Sequence, residues 1–497
     1  MNSYTLKIFY YTLGFLIFVL FCLAIVEYPG KGYVYFLFTI MLNMLLISGF
    51  RRDRIFFDTF IGLFFWLGYW LKFSFRMAFM GGRFHEPVGM NFDYSGAAYD
   101  QALLVTACGV GALLLASLMR GRFVFSYPEK NRALYLDGLF TFYKEHRKTV
   151  WVIFFMIFVA VAVTNAYYGI YQRGSIPRTQ LPYKMGGIYT WLLLFGTASI
   201  SALLLEFELI LNKKITYPVV LLGILESFFS NVSMLSRGMV LNTGALVFGA
   251  MKSFKIRSIK PTFRFCLIVS CMFIFFFGIS IIMVRHLRTI SYSGRLDSDR
   301  PGFQLSVSTL KTTLSGTGRN TKTLILDRWV GIEGVIAVSS YPELGWNLWK
   351  QAWKEKYSNQ GTSFYDMKIA SSWYTKMDFS KHHFISLPGI LAFLYYPGSM
   401  LFLFAAMFFA GTLAAVIEIS IYKLSGENLI LTSLLAQVVA SRYAHFGYVP
   451  GRSYLLFGTI GMNVIMIFLF NRVLLFYYKK WSRTETPSRL REDSDDV

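Results

Sequence analysis

Residues 265–284 read FCLIVSCMFIFFFGISIIMV, a run with no charged side chain. A helix of about 20 apolar residues crosses the roughly 30 Å hydrocarbon core of a bilayer. Lipid offers no partners to backbone N–H and C=O groups, so the crossing must be helical. Comparable apolar runs lie near 8–27, 33–50, 55–73, 100–119, 149–171, 188–211, 215–235, 239–251, 398–421, 428–447 and 454–476. With 265–284 they predict an all-α polytopic membrane protein of about twelve transmembrane helices. The stretch 384–397 is too short to cross and reads as a re-entrant or interfacial piece.

Composition agrees with that reading. Hydrophobic residues make up 55% of the 497-residue chain and charged residues only 15%, against about 25% charged in ordinary soluble domains. The net charge of +22 does not imply nucleic acid as a partner, because most of the Lys and Arg flank apolar runs, as positive-inside loops and snorkelling side chains do. The four cysteines, Cys22, Cys108, Cys266 and Cys271, fall inside apolar runs and read as small core residues. The N-terminal MNSYTLK leads into a span longer than a signal-peptide core and reads as a retained first helix.

The loops set the topology. Arg51, Arg52 and Arg54; Arg120 to Lys148; Lys213 and Lys214; Lys252 to Arg264; and Lys479 to Arg491 all fall on one side of the membrane if both termini are cytoplasmic. This divides the chain into N-terminal membrane helices over 1–284, a long external segment over 285–385 that is partly helical, C-terminal membrane helices over 386–478, and a charged cytoplasmic tail over 479–497 expected to be disordered. A polar segment of that length between two spans is seldom mere linker. Some basic residues remain on the external side, and an anionic substrate explains them.

Three external patches carry candidate chemistry. In SMLSRGMVLNTGALVFGA, Arg237 precedes a helix start; a guanidinium fork beside free helix N–H groups suits a phosphate, and Gly238 permits close approach. In DRWVGIEGVIAVSSYPELGWNLWKQAWKEK (327–356), Arg328 and Trp329 open an apolar helix that Pro342 and Gly345 end. Arg328 and Glu333 could also form a plain salt pair. In KHHFISLPGILAFLYYPGSMLFLFAA (381–406), His382 and His383 stand just before a membrane helix, where a general base is plausible and an interfacial anchor is the plainer reading.

Weaker signals are the Asp297-x-Asp299 pair and LSGTGRNTK at 314–322, which lacks the ending of a phosphate loop. Asp58, Glu206 and Glu226 lie inside spans and must face protein or water, as an ion pathway or as buried polar contacts. Lys72, Arg76, Arg173, Arg178 and Arg442 at external span ends would build a positively charged vestibule.

Taken together, SRG at 236–238, RWVGIEGVIAVSSYPELGW at 328–346 and HHFISL at 382–387 resemble the motifs of the O-antigen polymerase and ligase superfamily, the Wzy-type repeat-unit polymerases in particular. The sequence departs from that pattern in having Phe384 where Asn is usual and G-W where G-x-G is usual. The resemblance implies a GT-C-like glycosyltransferase of the bacterial inner membrane, with its active site facing the periplasm. It would transfer a growing glycan from undecaprenyl diphosphate to a new lipid-linked repeat unit in O-antigen and lipopolysaccharide biosynthesis, with no metal and no cofactor. It implies catalytic roles for His383, His382, Arg237 and Arg328. Diphosphate and glycan binding would fall to Arg173, Arg178, Arg288, Arg442, Trp329 and Glu333. A chain-length regulator is a further partner that the family allows. The alternatives are an O-antigen ligase and a lipid-linked oligosaccharide flippase or other transporter. The absence of a visible internal duplication weighs against a transporter.

Overall fold

A computed structural model describes the chain apart from residues 1–2, 52–53, 129–135, 215, 237, 293–325, 359–360, 373–374, 376–384 and 493–497. The described residues are helices and connecting turns, as the apolar runs predict. In chain order the helices are α1 Ser3–Glu27, α2 Gly32–Gly49, α3 Phe56–Phe65, α4 Lys72–Met80, α5 Gly96–Phe123, α6 Asp137–Glu145, α7 Arg147–Tyr168, α8 Gly186–Trp191, α9 Thr197–Asn212, α10 Tyr217–Ser233, α11 Met239–Ile256 and α12 Phe263–Tyr292. After the external segment begins they are α13 Ile332–Ser339, α14 Trp346–Trp353, α15 Ile390–Leu394, α16 Met400–Leu424, α17 Leu429–Ala444 and α18 Ser453–Glu492.

Among the described residues seven helical stretches are long and apolar enough to cross a membrane: Gly32–Gly49, Gly96–Phe123, Arg147–Tyr168, Gly186–Asn212, Phe263–Arg288, Met400–Leu424 and Pro450–Lys480. Three shorter apolar helices, Tyr11–Glu27, Tyr217–Ser233 and Leu429–Ala444, accompany them. α5 is central, with 67% of its apolar window buried, whereas α12 is peripheral at 11%. Small residues let the inner helices touch: a Cβ on Gly249 of α11 would come within 2.7 Å of the Ile430 Cα on α17, the close approach typical of membrane helix pairs. Ser433 adds a 2.7 Å hydrogen bond to the Ala245 carbonyl across the same contact.

The basic loops gather at one end of the bundle. Arg120 pairs with Asp58, whose carboxylate also accepts from the Ser117 hydroxyl at 2.6 Å. Arg147 pairs with Glu208 at 2.6 Å, Arg257 with Glu206, and the Lys252 ammonium donates to the Arg54 carbonyl at 3.0 Å. Asp58 and Glu206 are ion-paired contacts between helices. Glu418 accepts from the Phe56 and Phe57 amides, both at 2.7 Å, and from Tyr127, so a buried carboxylate closes the N-terminus of α3. The helix α18 continues to Glu492, through most of the tail expected to be disordered. Once the span has nucleated a helix, each further residue adds a hydrogen bond without a new nucleation cost.

At the other end the chain following residue 325 enters the bundle. Two π-turns, Trp66–Leu71 between α3 and α4 and Leu192–Gly196 between α8 and α9, widen their helices. The first receives residues 330–331 backbone to backbone. A Cβ on Gly331 would lie 1.8 Å from the Gly68 carbonyl oxygen, and one on Gly68 would lie 2.3 Å from the Val330 oxygen, so both positions require glycine. One residue past the π-turn, Lys72 donates to the Trp329 carbonyl and pairs with Glu333 at 2.9 Å, both side chains almost fully buried. α13 behind them is buried along its whole length. Gly389 donates its amide to the Phe446 carbonyl at 3.0 Å, and α15 is buried end to end, so the short stretch expected to be re-entrant is an embedded helical turn.

Because the Lys72–Glu333 pair is out of water, removing one member leaves an uncompensated charge. Lys72→Met is expected to destabilise the protein by about 3–5 kcal/mol, and Lys72→Met with Glu333→Met to recover most of that loss. Thermal unfolding of the detergent-purified variants measures both; equal losses in the single and double variants would refute the pairing.

Candidate active site at the external helix ends

A cavity of about 600 Å³ opens where α7, α10, α11 and α17 end away from the basic loops. Arg173, Arg328, Arg442 and His445 line it together with the apolar Leu194, Leu241, Val438 and Leu456. Asn231, Asn242, Gln437, Tyr357 and Tyr448 supply neutral polar groups between them. Among the described residues no Asp or Glu lines it.

The wall is positioned from the backbone up. Arg173 follows the left-handed Gly169 that ends α7, and its amide donates to the Met234 carbonyl at 2.9 Å, tying that loop to the α10–α11 turn. The preceding Asn165 is fully buried and strengthens the tie by donating to the Tyr171 and Ser233 carbonyls, both at 3.0 Å. The Arg442 guanidinium, on the last turn of α17, donates to Ser453 Oγ at 2.8 Å and lies over the Phe446 ring at 5.5 Å. Trp329 stacks on Phe64, ring centroids 5.8 Å apart, which fixes the turn carrying Arg328. The second π-turn adds its own contribution: Leu194 lines the cavity and its carbonyl accepts from Asn242 at 3.2 Å.

His445 stands three residues past Arg442. Its Nδ1 lies 2.8 Å from the Ser441 carbonyl, which can only accept, so Nδ1 carries the proton and Nε2 is the acceptor of the neutral ring. Burial pushes its pKa down to about 4, assisted by the positive charges of Arg173, Arg328 and Arg442. Glu355 ties the turn after Tyr448 to the chain before α15, accepting from the Phe364 amide at 2.6 Å and the Val449 amide at 2.7 Å. Burial raises the pKa of that carboxyl above the usual range.

The sequence candidates sort clearly. Arg173, Arg328, Trp329 and Arg442 meet at the cavity. Arg237, His382 and His383 lie outside the described residues, although Gly238 and Ile385 beside them line the wall. The aspartates of Asp297-x-Asp299 and the 314–322 loop are likewise outside the described residues. Three candidates serve scaffolding contacts instead. Arg178 packs on Gly169 and donates to the Ala166 carbonyl at 3.2 Å, closing the end of α7. Arg288 clamps the Leu235 carbonyl at 2.8 Å and 3.0 Å, holding the turn before Arg237. Glu333 faces Lys72 within the core, paired at 2.9 Å. Lys72 and Arg76 are neutralised by Glu333 and Asp327, so the positive vestibule is narrower than the sequence implied. His445, Gln437, Asn231 and Asn242 were missed. The available signal was polar side chains inside apolar spans, which are expensive in lipid unless they line protein or water.

No family model, characterised protein or solved structure matches the chain.

The depressed pKa of His445 has a stability consequence. The unfolded ring takes up a proton near pH 6.5 while the folded ring resists until about 4, so the contribution is complete above 6.5 and is lost as the pH falls from there toward 4. His445→Gln is expected to flatten that part of the profile in thermal unfolding scans. An unchanged slope between pH 6.5 and 4 would show that the ring is not held neutral.

Proposed function

We propose that this protein is a membrane glycosyltransferase that polymerises lipid-linked oligosaccharide repeat units at the outer face of the bacterial inner membrane. The observation that carries the reading is convergence. The three motif patches, 236–238, 328–346 and 382–387, are separated by long stretches of chain, yet Gly238, Arg328 with Trp329, and Ile385 with Leu387 line one cavity. That cavity combines guanidinium groups with apolar side chains, which suits a diphosphate joined to a polyprenyl chain.

The reaction makes defined demands. The bond between the anomeric carbon of the growing glycan and its diphosphate breaks, and the acceptor hydroxyl of the incoming repeat unit bonds to that carbon. The hydroxyl proton passes to a base and the diphosphate leaves with the negative charge. Arg173, Arg328 and Arg442, with Arg237 beside Gly238, are the groups to stabilise that charge through charge-assisted forks in a water-poor site. His382 or His383 is assigned as base from the motif, and the neutral His445 is a third acceptor in the cavity wall. Trp329, Tyr357 and Tyr448 offer ring faces to sugars, and Leu194, Leu241 and Leu456 offer an apolar floor to the lipid. The reaction on these residues requires no metal. Among the described residues, no cluster of three His, Cys, Asp or Glu side chains could hold one.

The test is the surface glycan of cells lacking this gene, complemented with variants. Loss of the gene should leave only single-repeat glycan, and wild type should restore the ladder. Arg442→Ala, Arg328→Ala and Arg237→Ala should each reduce polymer by about 10²–10³-fold at normal protein level, the range for removing one donor to a developing oxyanion. Arg→Lys should restore little, since an ammonium cannot fork. Loss of every glycan-decorated lipid in the gene's absence would instead assign a ligase or a flippase. Full complementation by all three alanine variants would overturn the site.

A further inference from the structure

A second cavity, of about 390 Å³, lies at the opposite, basic end of the bundle and takes no part in the proposed reaction. Arg51, Arg54, Lys252 and Lys255 line it, and among the described residues no Asp or Glu does. The nearest acids, Glu418 and Asp58, attract Lys252 through space, but their hydrogen bonds go to other groups. Asp58 binds Arg120 and Ser117, and Glu418 holds the Phe56 and Phe57 amides together with Tyr127.

Lys252 is held in position. Its ammonium lies 4.2 Å from the Tyr127 ring centroid and 4.7 Å from that of Phe56, and it donates to the Arg54 carbonyl at 3.0 Å. An ammonium has three N–H donors, and the one bond to Arg54 leaves it able to bind an anion from a fixed position. The other side of the cavity is apolar and open: Phe50 is 56% and Met251 59% exposed. Both lie at the depth where the basic loops meet the bilayer, so their faces look onto lipid. Cations on one wall beside an exposed apolar wall describe an amphipathic anion.

We propose that this cavity binds the phosphate of an anionic glycerophospholipid from the leaflet at the basic end, with its acyl chains lying against Phe50 and Met251. The bound headgroup would bridge Arg51, in the turn after α2, to Lys252 and Lys255 on α11, while Arg54, whose guanidinium is committed to Ser117, holds Lys252 through its carbonyl. It would thereby add to the Lys252–Arg54 hydrogen bond and the Phe50–Phe248 ring contact that already hold this turn against α11. This site is independent of the glycosyltransferase reading and stands or falls without it.

The experiment follows the Tm of the delipidated full-length protein in an uncharged maltoside detergent. Phosphatidylglycerol, phosphatidylcholine and inorganic phosphate are titrated separately. Phosphatidylglycerol is expected to raise the Tm saturably while phosphatidylcholine and phosphate do not. Lys252→Gln with Lys255→Gln should weaken the half-saturating concentration about 25-fold, about fivefold for each basic group withdrawn from an anionic headgroup. Arg472→Gln, an exposed cation at the same end but outside the cavity, should leave the response unchanged. Ser126→Trp, which fills the cavity without altering charge, should abolish the response, and it keeps the test decisive if the lysine variant fails to fold. An equal response to phosphatidylcholine, or a wild-type response from both cavity variants, overturns the proposal. Saturation by inorganic phosphate alone, blocking any further rise with phosphatidylglycerol, overturns the lipid as occupant and makes the site one for a free anion.

Discussion

The buried pair between Lys72 and Glu333 decides how the two halves of this protein fit together. Its partners are 261 residues apart in sequence. Two charges out of water stabilise a fold only when the geometry is good and the remaining hydrogen-bonding positions are filled. Here the ammonium also takes the Trp329 carbonyl, and the glycines at 68 and 331 let the backbones meet. The turn carrying Arg328 is therefore fixed against α3 and α4, in a position that a flexible loop between two spans would not hold. The cavity wall depends on that fixing. So does the order of α13, whose residues have nowhere else to bury their side chains.

Charge is handled differently at the two ends of the bundle. At the basic end each buried acid has its own donors: Asp58 has Arg120, Glu206 has Arg257, Glu208 has Arg147, and Glu418 has a helix N-terminus. Those contacts lock helices together. At the external end the acids within reach are drawn back into the scaffold, Glu333 by Lys72 and Asp327 by Arg76. This leaves a cavity whose described lining contains guanidinium groups and no carboxylate. Among the described residues the separation leaves this cavity lined by guanidinium groups, because Glu333, Asp327 and Glu355 are committed to packing contacts.

The spans were legible in the sequence because a bilayer imposes one strong rule, about 20 apolar residues per crossing, and α2, α5, α7, α12 and α16 obey it without ambiguity. The basic residues between spans were legible too, and Arg54, Arg120, Arg147, Lys252 and Arg257 make their contacts at one end of the bundle. The π-turns at 66–71 and 192–196 were not, because a single extra residue in a turn leaves the apolar pattern intact. Partner choice was also hidden. Glu333 is as close in sequence to Arg328 as a salt pair needs, yet it pairs with Lys72, and only the backbone contact between Gly68 and Gly331 makes that partner nearer. Arg442 was visible as a basic residue at a span end. His445 was not, although it lies less than one helical turn further on, because no charge marked it.

A guanidinium facing a water-poor cavity with no countercharge is costly, and the cost is not recovered within the protein where neutral partners alone are present. Arg442 meets Ser453 and the Tyr448 carbonyl, which orient it without neutralising it, and Arg173 is held by its backbone rather than its head group. A neutral His445 kept from protonating among these groups adds no further charge. Such an arrangement is stable on its own only if water reaches it. It becomes strongly favourable when an anion enters and water leaves, because the same low dielectric that penalises the empty site then strengthens each ion contact. A site so built binds its ligand most tightly when the ligand carries the most negative charge. For transfer from a lipid diphosphate that moment is bond cleavage, when charge accumulates on the leaving oxygen, and preferential binding at that point is what lowers a barrier.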